Sequence, residues 1–375
     1  MLSSFLEILS HLAQRFRRKC MNTLCVIDVS AVVYTGLYSQ RYQDRSAFGY
    51  PTGGIHFFME QLLVPLYEYN DIVLCFDSPN FRKKLESSYK SGRSHNAVAI
   101  SQIEALYEYL SYCGFSCYKC DGYEADDIID WVIDTFKEKY SPIIIVGNDM
   151  DLAHSIRPNV IFRSCRSDMN IIKRSSFPNA IKKDVYIPYN MVSIWKCLCG
   201  CQSDGVPQFR TEGGLSGSEL YDTCVQTYIS SNLVDDYDKT TSIHLFKFWA
   251  EKSGLFSEQD LKKLDTRIKV IFPAECPEDL DFKPVNKSHI DYDKMSKVLT
   301  MFNVADALFG TKNCNGVPMK NEFWRVQLTD SDKQLVYDLA HRLNSGEYNA
   351  DKSIPMNTER VTSSPLKISA FEKEF

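Results

Sequence analysis

The chain has 375 residues, of which 44% are hydrophobic and 24% charged, and its formal net charge is −5. That length allows two domains, or one large domain with attachments, and a full-sized core, while the composition excludes a disordered or fibrous chain. The acidic balance also excludes an indiscriminate nucleic-acid binder, so any contact with nucleic acid must come from local patches.

Thirteen cysteines, an odd number, lie as often in apolar stretches (Cys25, Cys75) as in clusters. This favours reduced thiols and a cytoplasmic setting, the host cytoplasm for a viral chain. The clusters Cys113, Cys117, Cys120 and Cys197, Cys199, Cys201 lack two C-x-x-C pairs and read as thiols rather than as zinc sites. No stretch reaches the roughly 18 consecutive apolar residues of a membrane span, so no integral membrane association is expected.

In chain order, residues 1–22 form an N-terminal extension. Leu2, Phe5, Leu6, Ile8, Leu9 and Leu12 lead into Arg15, Arg17, Arg18 and Lys19, the pattern of a basic amphipathic helix. Its chemistry suits a membrane surface or an organellar import receptor. Glu7 and His11 interrupt the apolar run, which argues against a cleavable secretory signal. The expectation is a dispensable extension ahead of a second start at Met21.

From Thr23 onward, short apolar runs alternate with longer amphipathic ones, as in a parallel sheet with interleaved helices. Strands are predicted at 24–27, 72–76, 115–118, 143–146 and 160–162, and helices at 54–69, 102–113 and 126–140. The fold class is therefore α/β, over residues 23–190. Helical segments follow in 191–310, with turns at Gly213, Gly214 and Gly217. The apolar run at 267–272 is expected to return as an edge strand, before a last helix near 294–308. Residues 311–375 read as a C-terminal extension whose end, after Gly346, is a flexible tail.

Three predicted strands end in acids: Asp28, Asp77, and the pair Asp149 and Asp151. In open parallel sheets the carboxyl ends of the strands line the ligand crevice, so these side chains are expected to converge. Each alone reads equally as a turn former or helix cap. Glu124, Asp126 and Asp127 open a helix whose apolar face is Ile128, Ile129, Val132, Ile133 and Phe136. Pairing of acids with the helix dipole explains such a run on its own. Beside three other acid-bearing loops, however, these carboxylates would repel one another unless a cation lay between them. Hard cations such as magnesium and manganese take oxygen ligands, and two of them can clamp a phosphodiester. Asp204 would add one more carboxylate.

Arg82, Lys83, Lys84, Lys90 and Arg93 crowd the segment after Asp77, with Tyr89 among them. Such groups hold phosphates, and an interleaved aromatic can stack on an unpaired base. A solvated basic helix face is the plain alternative.

Together these pieces resemble the bacterial and bacteriophage 5' nucleases related to flap endonucleases. The matching stretches are LCVIDVS around Asp28, YPTGGIHFF from Tyr50, VLCFD ending at Asp77 and YKSGR from Tyr89. GYEADDII from Gly122, IVGNDMDL from Ile145 and GCQSDGVP from Gly200 continue the series. The resemblance implies a PIN-like parallel-sheet nuclease domain with a helical arch at about 79–112, followed by a mainly helical DNA-binding region. It implies two magnesium or manganese ions, with Asp28, Asp77, Glu124 and Asp126 similar to the first metal group. Asp127, Asp149, Asp151 and Asp204 resemble the remainder. Lys90 and Arg93 look like the residues that engage the scissile phosphate, and Arg82, Lys83, Lys84 and Tyr89 like auxiliary DNA contacts.

Two departures stand out. Cys201 occupies a position where the family pattern has a carboxylate, and a soft thiolate suits magnesium poorly, which leaves the second ion in question. After Pro207, the stretch from Gln208 to Gly214 keeps glycines but loses the family's spacing for a duplex-binding hairpin.

The implied activity is a metal-dependent, structure-selective 5' nuclease acting on DNA flaps or ends, or on RNA primers in RNA–DNA hybrids. A catalytically weakened DNA-binding accessory protein of the same fold is the alternative. A toxin-type RNA-cutting PIN domain has fewer acids and no long helical second half. A haloacid-dehalogenase-like phosphatase needs Asp-x-Asp, whereas Asp28 is followed by Val29 and Ser30. In the tail, Leu366, Ile368, Phe371 and Phe375 are spaced as a docking peptide for a sliding clamp or single-strand-binding protein. Replacing Asp126 and Asp127 together is expected to abolish cleavage and leave folding intact.

Overall fold

The computed structural model describes residues 22–38, 46–47, 50–92, 96–157, 159–165, 171–172, 191–230, 239–291 and 294–295. The N-terminal extension up to Met21, Arg93, the last predicted helix beyond Met295 and the C-terminal tail lie outside them. No helix of the described residues is long and apolar enough to cross a membrane.

The alternating apolar runs become a sheet because each strand serves two faces. In β1 (Asn22–Asp28), Leu24 and Val26 enter one core while Cys25 and Ile27 enter the other. The same alternation recurs in β4 (Asp71–Phe76) and β6 (Tyr140–Gly147), whose residues are almost all buried. Burial on both faces is the condition under which parallel strands persist. β5 (Ser116–Lys119), β4, β1, β6 and β7 (Val160–Ser164) run parallel in that spatial order. β8 (Ile171–Ile172) closes the β7 edge antiparallel, and β9 (Val285–Asn286) pairs antiparallel with the start of β4. A separate two-stranded ribbon joins β2 (Ser46–Ala47) and β3 (Tyr50–Pro51).

Helices α1 (Val29–Tyr38), α2 (Gly53–Glu68) and α4 (Ala97–Tyr112) cover one face. α4 starts earlier than the apolar period suggests because the Asn96 side chain caps it, accepting the Ala99 N–H at 3.2 Å. α5 (Ala125–Phe136) lies on the other face with Ile128, Ile129, Val132, Ile133 and Phe136 buried. The short α3 (Arg82–Leu85) follows β4.

The helical second half comprises α6 (Val192–Cys199), α7 (Gly217–Ser230), α8 (Lys239–Lys252) and α9 (Glu258–Ile271). Leu198, Leu220, Phe246 and Leu264 from these helices join Leu24, Ile133 and Ile145 in one continuous core. The helical region thus shares the sheet's core instead of closing its own. The expectation of an edge strand at 267–272 is corrected. Those residues complete the last turn of α9, which Ser257 and Asp260 start with a reciprocal capping box at 3.1 Å each way. The apolar residues there follow the helical spacing of Leu264 and Ile268, and the antiparallel edge pairing falls instead to β9. The fold is α/β, a parallel sheet sandwiched by helices and followed by a mainly helical region.

Candidate active site

The spatial order of the strands makes β1 and β6 neighbours whose outgoing connections run in opposite directions, from β1 towards β4 and from β6 towards β7. Loops at the carboxyl ends of these strands separate and leave a crevice. Asp28 ends β1, Asp77 follows β4, Asp126 opens α5 after β5, and Asp149 follows β6.

Each acid is placed by the backbone around it. Asp28 is 4% exposed and caps α1, its Oδ1 accepting the Ala31 N–H at 2.9 Å. Asp77 is exposed and ties the end of β4 to α5 by accepting the Ala125 N–H at 2.8 Å. Asp126 and Asp149 are half-buried.

These carboxylates act on one another. Burial first, then the charges of Asp77 and Asp149, push the Asp28 carboxyl up to about 8. Burial and the charges of Asp149, Asp28 and Glu124 hold Asp126 well above the usual carboxylate range, with Lys90 opposing them. Four acids from four loops therefore face a common space in which full ionisation is costly. The donors are all oxygen, and the charge is in excess, so the set fits a hard divalent cation. Among the described residues, no three such side chains form a preassembled metal cage.

Several predicted ligands and contacts lie elsewhere. Asp127 is fully buried, and both its oxygens are taken by Arg82, with Nη2 at 2.6 Å from Oδ1 and Nη1 at 2.8 Å from Oδ2. It also accepts the Glu124 N–H at 3.0 Å and the Ala274 N–H at 2.7 Å. This carboxylate is a structural ion pair, and its expected role as a metal ligand is corrected. Arg82 accordingly is not a DNA contact. It is 3% exposed, and Nε and Nη2 donate to the carbonyls of Val270 at 2.9 Å and Phe272 at 3.3 Å, fastening α3 to the end of α9. Arg82 holds Asp127 below the ordinary carboxylate range.

Tyr89 is 4% exposed, so it offers no face for a base to stack on. Its hydroxyl donates to Glu124 Oε2 at 2.7 Å. Glu124 further accepts from Asn80 at 2.8 Å and Lys90 Nζ at 2.5 Å on Oε1, and from Arg82 at 3.3 Å on Oε2. Both its oxygens are engaged by protein donors, which sets it apart from the four acids of the crevice. Lys90 is half-buried with its ammonium on Glu124, close enough for its charge to act on Asp28 and Asp126. Lys83 and Lys84 are exposed on α3, the geometry of surface phosphate contacts. Asp151 lies on the 3-10 turn Met150–Ser155 beyond β6.

Asp204 is 3% exposed on the 3-10 turn Gln202–Asp204. The Cys201 thiol donates to its Oδ2 at 3.1 Å and sits 3.1 Å from Ser203 Oγ. Where the resemblance expects a second carboxylate, this chain supplies a neutral donor to the first.

Arg82, Tyr89, Glu124, Asp126, Lys196 and Asp204 line a cleft of about 420 Å³ including its open mouth. Sequence reasoning missed Lys196. A lone lysine inside the apolar stretch of α6 was the available signal, and the side chain is 8% exposed. Asn80, a short amide among charged neighbours, carried no signal.

Residues 23–182 match the family described as 5'-3' exonuclease, N-terminal resolvase-like domain. The chain is 26% identical over 261 residues to the 5'-3' exonuclease of Aquifex aeolicus, covering 64% of itself and 87% of that relative. It is 25% identical over 275 residues to DNA polymerase I of Caldicellulosiruptor bescii, of which it spans 31%. The crystal structure of T5 D15 protein co-crystallized with metal ions superposes with a TM-score of 0.46 at 13% identity, over 66% of this chain and 89% of that one. The matched region contains the four crevice acids, Glu124 and the 82–92 segment. Lys196, Cys201 and Asp204 lie beyond the matched residues.

Proposed function

We propose that the protein is a divalent-metal-dependent 5' nuclease that hydrolyses phosphodiesters at the ends or flaps of DNA. The observation that carries this reading is the convergence of Asp28, Asp77, Asp126 and Asp149, where the charges of Asp77 and Asp149 raise the proton affinity of Asp28 and those of Asp149 and Asp28 raise that of Asp126. The match of residues 23–182 to the 5'-3' exonuclease family supports it. Magnesium or manganese held there, two ions in the full reading, would supply an activated water and stabilise the attacking and leaving oxygens.

The chain's own groups do the rest. Asp28 and Asp77 are fixed by N–H groups of α1 and α5, so the acids are held in place before any ligand arrives. Lys90 brings a cation to the rim, where negative charge develops on a transferring phosphate. Lys196 places a second ammonium among Asp126 and Asp204 in the cleft. Lys83 and Lys84 offer sequence-independent contacts to the phosphate backbone. Flap and primer removal in replication, with RNA–DNA hybrids among the substrates and a clamp or single-strand-binding protein bound through the tail, complete the proposal.

Cys201 favours a second reading, in which the fold is retained for DNA recognition with weakened chemistry. A 5'-labelled flap duplex, incubated in magnesium, manganese or EDTA beside a matched RNA flap, separates the readings. Metal-dependent cleavage near the junction supports the nuclease. Structure-selective binding without cleavage in either metal supports the weakened protein, and preferential cutting of RNA overturns the DNA assignment.

A further inference from the structure

The turn that carries Lys90 is fastened by its backbone, and its partner is a loop of the helical region. Lys90 has φ of 52°, a left-handed conformation that L-residues seldom adopt. Its N–H donates to the Asp204 carbonyl at 2.7 Å. Opposite, Gly205 has φ of +68°, and a Cβ added there would lie well inside van der Waals contact of the Ser88 carbonyl oxygen and 3.7 Å from the Lys90 nitrogen. The obstructing atom is backbone, so it cannot swing aside as a flexible side chain would. Tyr89 seals the contact from within, packed with Cys201, Val206 and Val270. From this docked turn, Lys90 Nζ reaches Glu124 at 2.5 Å and Tyr89 OH reaches the same carboxylate at 2.7 Å.

The geometry points to Gly205 as a positioning residue for cleavage: its missing side chain lets the 88–90 turn press on the Asp204 loop and thereby aims the Lys90 ammonium at the acid crevice. The inference rests on the nuclease reading of that crevice. Gly205 itself touches no reacting group. It acts by fixing two backbones in register, one from the exonuclease domain and one from the helical region. Misplacing a catalytic group by about 1 Å costs on the order of a hundredfold in rate, so a small lift of the turn would be felt in turnover before it is felt in substrate binding.

The test compares Gly205→Asn with Gly254→Asn in the full-length protein. Asparagine tolerates the left-handed region, so the substitution isolates the added Cβ from backbone strain. Gly254 has φ of +70°, and a Cβ added there would meet no atom within 4 Å, which makes it the matched control. Flap cleavage with magnesium gives kcat and KM, and amide hydrogen exchange followed by NMR reports the Lys90 N–H directly. We expect Gly205→Asn to lower kcat by roughly ten- to a hundredfold with KM within about twofold, and to deprotect the Lys90 amide. Gly254→Asn should change neither. Wild-type kcat in Gly205→Asn, or a Lys90 amide still protected there, overturns the inference. A wild-type protein that does not cleave overturns the nuclease reading instead, and the amide result then still decides whether Gly205 holds the turn.

Discussion

Asp127→Asn separates a structural acid from a catalytic one. The substitution keeps shape but removes the charge opposite Arg82, which is buried with donors at 2.6 and 2.8 Å from the two carboxylate oxygens. Asparagine has a single acceptor oxygen, so it cannot receive the bidentate guanidinium and the Glu124 and Ala274 N–H groups together. What remains is a buried cation that has lost its bidentate partner and keeps only Glu124, at 3.3 Å, and breaking one side of such a pair costs about 3–5 kcal/mol. With about 2.1 cal/mol/K of unfolding entropy per residue, 1 kcal/mol moves Tm of a 375-residue chain by roughly 1.3 °C, so the expected loss is about 4–7 °C. Arg82 also anchors Val270 and Phe272, so the end of α9 should loosen with it. Differential scanning calorimetry in EDTA gives the shift free of metal effects. An unchanged Tm together with lost cleavage would refute the structural assignment and return Asp127 to the ligand set. Replacing Asp126 and Asp127 together should therefore lower Tm as well as abolish cleavage, in contrast to the expectation from the sequence that folding stays intact.

Asp126→Asn should behave in the opposite way, with Tm in EDTA equal to or above wild type and cleavage lowered at least about a hundredfold, because it removes charge from a crowded crevice; a large drop in Tm would contradict this. Metal-free stability should fall as pH rises from about 5 to 8. Asp28, pushed up to about 8, keeps its proton in the folded state over a range where the unfolded carboxyl, near 3.9, has lost it. Folding therefore takes up protons in that window. Asp127 and Asp134, held low by arginine partners, contribute stability that is lost only below about pH 4 and do not offset the trend. A Tm in EDTA that climbs between pH 5 and 8 would contradict the coupling, and magnesium should flatten the slope. Cys201→Asp, which replaces the thiol donor at Asp204 with a carboxylate, should lower the magnesium concentration for half-maximal cleavage while reducing Tm in EDTA; an unchanged magnesium requirement would show that this position takes no part in cation binding.

The four crevice acids were legible because strand ends and helix starts are local events. Apolar alternation fixed where β1, β4 and β6 stop, and parallel topology then required their ends to meet. The roles of Arg82, Tyr89 and Asp127 were not legible, for a physical reason. A basic residue beside an aromatic reads as an exposed contact unless its partners are known, and the Arg82 acceptors Val270 and Phe272 lie 188 and 190 residues away. Nothing near Arg82 signals that α9 will cover it. The same blindness misassigned 267–272, where five or six apolar-rich residues fit either period until the capping box at Ser257 shows that a helix is already running. Cys201 was legible as a departure from the family pattern, but not as a donor to Asp204, since the direction of that contact depends on how the turn closes.

The central claim is that the crevice acids, and not Glu124 or Asp127, hold the divalent cation. Manganese-soaked crystals measured at the manganese absorption edge test it most directly. Anomalous peaks between Asp28, Asp77, Asp126 and Asp149, with the Arg82–Asp127 pair intact, are the predicted result. No peak in that crevice at saturating manganese, or a peak ligated by Asp127 after displacement of Arg82, would contradict the account.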